Sequence, residues 1–286
     1  MGKLRSAIGC LVAVLVCACD EPVADLRLEE QTVTPEFRQW KLPARLREIS
    51  GLALTTDERL LAVTDEIAIV YELDFLQGRV VKSFALGDPV VRGDFEGIAL
   101  LNDVVWLLTS DGTLYATAEG TDGSSMTYSR HETGLGDYCE FEGLAADKAA
   151  GSLLLSCKNA KRKKNVLKIF ELSVSGSTVQ QVRSIDLPEK AIEKQIDKKR
   201  INPSGISIDP RSGEWVLVAA RQDALVRLTP AGELSGAIIL KKKGRHRQAE
   251  GIEITADGRL LIADEGGDGR ARLAVYAAGW EAIWGQ

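Results

Sequence analysis

The sequence predicts an all-β fold, a five-bladed β-propeller, on three observations. A polar stretch that runs through glycine into an apolar strand occurs five times. The copies are Glu48-Ile-Ser-Gly51, Asp94-Phe-Glu-Gly97, Glu140-Phe-Glu-Gly143, Asn202-Pro-Ser-Gly205 and Gln248-Ala-Glu-Gly251. Their glycines lie 46, 46, 62 and 46 residues apart, close to the roughly 40–50 residues of known propeller repeats. The intervals break into short alternating or apolar runs of strand character and lack the amphipathic helices of helical repeats.

Residues 1–18 read as a secretory signal: Lys3 and Arg5 precede the apolar run Ala7 to Ala18, which is too short for a membrane-spanning helix. The end of the signal, Val16-Cys-Ala-Cys19, resembles a bacterial lipobox with Cys19 as the lipidated residue, because the preceding Ala18 is small. A plain cleaved signal peptide is the alternative. Residues 19–35 then form a tether and 36–286 the propeller domain. The expected location is extracytoplasmic, with the chain lipid-anchored to a bacterial membrane on its periplasmic side.

Composition narrows the function classes. The chain of 286 residues is 45% apolar, enough for one substantial core. Its 36 basic and 41 acidic side chains give a net charge of −5, and loss of Lys3 and Arg5 would take this to −7. Nucleic acid is therefore disfavoured as a partner.

The first repeat divides into runs from Gly51 to Leu54, Arg59 to Thr64, Ile67 to Leu73 and Arg79 to Phe84, four strands that make one blade. Later copies offer Val104 to Leu108 with Thr113 to Thr117, and Leu153 to Ser156 with Val166 to Leu172. Trp215 to Ala219 with Ala224 to Leu228, and Arg259 to Ala263 with Arg272 to Tyr276, complete the set. The last copy runs out after three strands, so Phe37 to Leu42 is expected to supply the fourth and close the ring, removing exposed sheet edges. The enlarged interval carries Pro188 through Arg200, with an early acidic and late basic bias and with Ala191, Ile192 and Ile196 on one side. These features predict an inserted surface helix.

Propeller geometry puts the innermost strand of each blade around a central channel. The residues before the motif glycines, Ser50, Glu96, Glu142, Ser204 and Glu250, should therefore ring one mouth. Asp65, Asp111, Cys157, Ala219 and Glu265, fourteen positions after each glycine, return to that mouth on the antiparallel second strand. Crowded carboxylates need protonation, solvation or a cation. A ring of Glu, Asp, Ser and Asn oxygens suits calcium, whereas no His/Cys cluster suits zinc. Glu96, Glu142 and Glu250 are the innermost candidate ligands, with Asp65, Asp111 and Glu265 behind them. The competing possibility is structural: side chains that cap inner-strand amides or fill the channel through water.

In the third repeat, a hairpin centred near Lys148 sets Cys139 opposite Cys157, so a disulfide or a pair of buried thiols is expected there. The only histidines are His131 and His246, and neither a nucleophile elbow nor a phosphate loop is present. His246 lies in the basic run Lys241 to Arg247, which with Lys161 to Lys164 should flank the acidic mouth and suit an anionic small molecule such as a phosphate ester or lipid headgroup.

The stretches Asp94-Phe-Glu-Gly-Ile98, Glu140-Phe-Glu-Gly-Leu144 and Gln248-Ala-Glu-Gly-Ile-Glu-Ile254, with Leu260-Leu-Ile-Ala-Asp-Glu265, resemble the SdiA-regulated (YjiK-like) proteins. The resemblance spans residues 45–276 and is shared in part with phytase-like esterase and NHL-type propellers. It implies a five-bladed propeller with a calcium site and leaves the activity undefined. Ser50 and Ser204 depart from the acidic motif, so it does not imply even coordination by all five blades.

Two main function classes follow. One is a monomeric, membrane-anchored, calcium-binding module for a ligand or protein partner. The other is a calcium-dependent hydrolase of a lactone or phosphoester in which Glu96, Glu142 or Glu250 is the base. An interaction protein with an empty polar channel is the third reading.

Overall fold

Five antiparallel blades pack around an axis in the computed structural model, which describes residues 37–240, 246–280 and 282. The signal, Cys19 and the tether lie outside those residues, as does most of the basic run that precedes His246. The first strand, β1 (Phe37–Lys41), belongs to the last blade. Blade 1 contains β2 (Ile49–Leu54), β3 (Leu60–Thr64), β4 (Ile69–Asp74) and β5 (Arg79–Leu86). Blade 2 contains β6 (Phe95–Leu101), β7 (Val104–Thr109), β8 (Thr113–Ala118) and β10 (Ser129–Glu132). The intervening β9 (Ser125–Met126) instead pairs in parallel with β5, giving blade 1 a fifth strand over its outer edge.

Blade 3 is the largest, with β11 (Cys139–Asp147), β12 (Ser152–Ala160), β13 (Val166–Ser175) and β14 (Thr178–Pro188). After α1 (Glu189–Ile196) comes blade 4, with β15 (Gly205–Ile208), β16 (Trp215–Ala219), β17 (Ala224–Leu228) and β18 (Leu234–Ile239). Blade 5 runs through β19 (Ala249–Ile254), β20 (Leu260–Asp264) and β21 (Arg272–Tyr276) to β1. The pairing of β1 with β21 sets Phe37 opposite Tyr276 and Lys41 opposite Arg272, with the Phe37 and Tyr276 rings 4.9 Å apart. The N-terminal strand thus ties the two ends of the described chain into one sheet.

The strand residues divide between two faces by the period of two. In β3, Leu60 and Ala62 face blade 5 while Leu61 and Val63 face blade 2, and all four are buried. Because both faces are covered, the second strands of blades 1, 2, 4 and 5 are apolar almost throughout instead of alternating with polar residues, while the longer β12 of blade 3 is apolar at Leu153–Leu155 and polar at Ser152, Ser156, Lys158 and Asn159. The core is accordingly distributed as five buried clusters, one between each adjacent pair of blades. The cluster joining blade 5 to blade 1 contains Leu42, Leu52, Leu261 and Leu273.

The motif glycines explain the tight centre. A Cβ on Gly51 would stand 3.0 Å from Gly97 Cα, one on Gly97 would stand 2.8 Å from Leu144 N, and one on Gly143 would stand 3.1 Å from Gly205 Cα. A Cβ on Gly205 would come 2.5 Å from the Glu250 carbonyl oxygen, and one on Gly251 2.7 Å from Leu52 Cγ, which returns the contact to blade 1. Four of the five junctions between inner strands therefore close at backbone distance, and the fifth closes on the Leu52 side chain. The space they enclose is about 10 Å³, at most room for a single water.

The enlarged interval contains more than a helix. It lengthens β13 and β14 to 10 and 11 residues before α1 begins at Glu189, beside Pro188. Ile192 and Ile196 are buried, as their spacing on one helical face requires, and the Ala237 backbone N–H donates to Gln195 Oε1 at 2.6 Å. The helix therefore lies over the outer strand of blade 4.

In blade 3, Cys139 and Cys157 are bridged with their α-carbons 5.6 Å apart. The pairing differs from a symmetric hairpin about Lys148: the turn falls between Asp147 and Ser152, and a bulge sets Cys157 opposite Phe141.

Gly205→Ala is expected to lower the unfolding free energy by about 1–3 kcal/mol, because backbone and not a flexible side chain occupies the Cβ position, as read from urea denaturation with an unchanged m-value. Peptide mapping without reductant should recover Cys139 and Cys157 in one linked species. Reduction of that bond should cost about 3 kcal/mol by the loop-entropy argument.

Candidate functional site

Each inner strand starts at one mouth of the channel, and the residue before each glycine is delivered there. The two serines do structural work. Ser50 Oγ donates to the Phe95 carbonyl at 2.7 Å and Ser204 Oγ to the Ala249 carbonyl at 2.5 Å, so each stitches its blade to the next. Both hydroxyls thus donate to carbonyls of the neighbouring blade, and Ser204 Oγ also accepts from the Ala220 N–H of its own blade at 3.2 Å.

The three glutamates occupy different environments. Glu142 is buried and forms an ion pair with the Lys158 ammonium, which also stands 4.0 Å from Glu140. Burial pushes the Glu96 carboxyl up to about 8, reinforced by Asp94, Glu250 and Asp65 and opposed by Lys158. Burial likewise raises Glu250 to about 7, while a hydrogen bond from Gln248 and the charge of Lys158 oppose the shift and Glu265 adds to it.

Behind this ring, Asp65 is raised to about 6 by burial and by the charges of Glu48, Glu66 and Glu265, and its buried Oδ1 lacks a hydrogen-bond partner. Glu265 is raised by burial and by Glu48, with Arg47 and Lys158 pulling it down. Asp111 stands apart. It is exposed and accepts from Thr109 Oγ1 at 2.6 Å and the Thr113 N–H at 3.0 Å, which makes it a turn residue of blade 2. Burial raises its carboxyl, but those hydrogen bonds outweigh it and leave the group below the usual range.

The residue that pattern reasoning missed is Lys158. It follows Cys157 on β12 and brings a cation into the carboxylate group, where its field lowers Glu96, Glu250 and Glu265. The signal was present: a lysine one position beyond the register of Asp65 and Glu265 in a strand that ends at the same mouth.

The calcium expectation can be compared with this donor set. Among the described residues no group of three or more His, Cys, Asp or Glu side chains is arranged to hold a metal. Glu142 is engaged by Lys158, two ring positions are serines already committed to carbonyls, and Asp111 is elsewhere. The residues as arranged do not fit an ion that takes six to eight oxygens.

The basic segments also resolve into local contacts. Lys161 Nζ donates to the Gly136 carbonyl at 2.7 Å, the Arg162 guanidinium stacks 4.0 Å from the Tyr138 ring centre, and Lys163 pairs with Asp186 at 2.9 Å. His246 is buried: its Nδ1 bonds Asp264 at 2.9 Å and its Nε2 the Tyr276 hydroxyl at 2.7 Å, which fastens the incoming chain to blade 5. His131 lies on the outer strand of blade 2 beside Trp106 and Ser129, away from the mouth. A cleft of about 200 Å³ does collect cations. It is lined by Lys41, Arg247, Arg270 and Arg272 together with Asp264 and Glu265, so Glu265 belongs both to it and to the carboxylate group.

Raised carboxyl groups make stability pH-dependent with a definite sign. Glu96 and Glu250 bind protons more tightly folded than unfolded, so their contribution is fully present below the unfolded carboxylate range and is lost as pH rises through about 7 to 8. Carboxylates held low, such as Asp57, titrate beneath this window. The urea midpoint is therefore expected to fall between pH 5 and pH 8, and Glu96→Gln should flatten that decline.

Comparison with known proteins agrees with the architecture. No curated protein matches the sequence. Among solved structures, a luciferin-regenerating enzyme superposes with a TM-score of 0.53 at 9% identity, covering 86% of this chain and 96% of the other. Glutaminyl cyclase from Myxococcus xanthus superposes with a TM-score of 0.52 at 14% identity, covering 84% and 93%. At such identities the likeness concerns the fold alone. The family profile described as SdiA-regulated matches residues 31–265, across all five glycine motifs, and the chain belongs to the SdiA-regulated family.

Proposed function

We propose that this chain is a ligand-binding propeller, held at the periplasmic side of a bacterial membrane through Cys19, whose working surface is the carboxylate mouth and the arginine-lined cleft beside it. The observation that carries the reading is the position of Glu265. It joins a group of carboxyls that burial and mutual repulsion hold partly protonated to a cleft lined by Lys41, Arg247, Arg270 and Arg272. A ligand with a cationic group for the first and an acidic group for the second satisfies both. Phosphoethanolamine has that chemistry, and a rigid scaffold that presents the two fields side by side gains affinity from preorganisation.

A hydrolytic reading rests on Glu250, whose carboxyl near 7 suits proton transfer at neutral pH. Because the donor set does not fit calcium as arranged, no catalytic step is assigned through a metal. The binding reading is adopted.

The test is calorimetric titration of the chain with phosphoethanolamine, with ethanolamine and inorganic phosphate as half-ligands, before and after treatment with chelator. Phosphoethanolamine is expected to bind more tightly than either half. Glu96→Gln with Glu250→Gln should weaken ethanolamine selectively, and Arg247→Ala with Arg272→Ala should weaken phosphate selectively. Absence of binding by all three overturns the proposal. Micromolar calcium binding that disappears in Glu250→Gln would replace it with the metal-bearing mouth.

A further inference from the structure

The opposite end of the channel has a different character. All five inner strands end there, and Leu54, Leu100, Ala146, Ile208 and Ile254 surround a cavity of about 420 Å³. That volume lies within the range of small-molecule sites, and the lining is mainly aliphatic, widened by alanines and prolines of the adjoining turns. Blades 1 and 2 contribute only Leu54, Ala99 and Leu100. The charged side chains on the wall are Asp147, Lys148, Asp209 and Glu253.

Three of these four have an evident structural or solvent role. Asp147 accepts from the Ala149 and Ala150 N–H groups at 3.1 and 2.9 Å and forms the β11–β12 turn. Asp209 is buried and takes two hydrogen bonds from the Arg211 guanidinium, at 3.0 and 2.8 Å. Lys148 is exposed at the rim. Glu253 differs from them. It projects from the inner strand of blade 5, held by Ser207 Oγ at 2.8 Å and the Ile254 N–H at 3.2 Å, and no Lys, Arg or His nitrogen among the described residues comes within 4.0 Å of it. A carboxyl placed by a serine of the neighbouring blade, in an apolar cavity and without a counter-ion, is costly to keep for stability alone.

We infer that this cavity is a binding site for an apolar molecule carrying a single ammonium group, with Glu253 as the counter-ion and the aliphatic collar as the seat of the hydrocarbon. The site is independent of the carboxylate mouth: the glycine ring leaves only about 10 Å³ between them. Burial raises the Glu253 carboxyl to about 7, opposed by the bonds from Ser207, Ile254 and Leu54 and by the charge of Lys148. An ammonium group selects the ionised form, so affinity for it should rise with pH across neutrality.

Titration calorimetry with phenylbutylamine, and with phenylbutanol and phenylbutyrate as neutral and anionic analogues, tests the inference. The amine is expected to bind with a dissociation constant on the order of 0.1–1 mM for a ligand of its size. It should bind about tenfold more tightly than the alcohol, as expected for a hydrogen-bonded charge, with the acid weaker still. Affinity for the amine should increase about tenfold between pH 6 and pH 8 as the ionised fraction of Glu253 grows, and Glu253→Gln should abolish that increase. Ala149→Trp, at the exposed rim, should weaken amine and alcohol alike without touching Glu253. Equal binding of amine and alcohol, an unchanged pH profile in Glu253→Gln, or no binding of any probe would overturn the site.

Discussion

The blades meet at their innermost strands, mostly backbone against backbone. Five inner strands meet at glycines whose absent side chains let each strand lie against the next, and the last contact returns to the first blade. A β-carbon at Gly205 would fall on a carbonyl oxygen, where nothing flexible can give way. The ring radius is therefore set mainly by main-chain contact, with Leu52 filling the closing junction, and the rest follows from that radius. The blades are near enough to share one apolar cluster at every interface, the second strands must be apolar on both faces, and the channel closes to about the size of a water.

Closure at the centre separates the two ends of the channel chemically. One end receives the residues before the glycines and is acidic, and the other receives the ends of the inner strands and is aliphatic. The same repeat generates both, because every inner strand starts at the acidic end with the motif residues and finishes at the aliphatic end. Blade-specific departures then individualise each end. Serine replaces glutamate in blades 1 and 4 and becomes a stitch to the neighbouring carbonyl. A lysine enters from β12 of blade 3, and at the apolar end Glu253 of blade 5 adds a carboxyl that, unlike Asp147 and Asp209, serves no turn or arginine pair.

Electrostatically, the acidic mouth is a case of incomplete compensation. One ammonium, Lys158, serves several carboxylates, and burial makes full ionisation of the remainder unfavourable. The mouth responds by holding protons near neutrality. Its charge is then adjustable by pH. The buried oxygen of Asp65 left without a partner is consistent with the same demand.

The sequence by itself determined the number of blades, the strand limits to within a few residues, and the closing strand, because each depends on local period and on the spacing of a glycine that tolerates no side chain. Trp215–Ala219 and Ala224–Leu228 coincide with their apolar runs for that reason. It also determined which end of the channel would be acidic, through the residues preceding the glycines. Only the tertiary structure decided which of those groups meet. Asp111 has the same repeat position as Asp65, yet a threonine turn draws it away, and Lys158 enters the site from beside a cysteine that carries the equivalent register. The extra residues of the third interval divided between longer strands and a helix, because that helix had an outer strand of blade 4 to cover. Position along a repeat is a one-dimensional property, whereas ligation, pairing and burial depend on the few ångströms between side chains from different blades, and those distances exist only once the ring has closed.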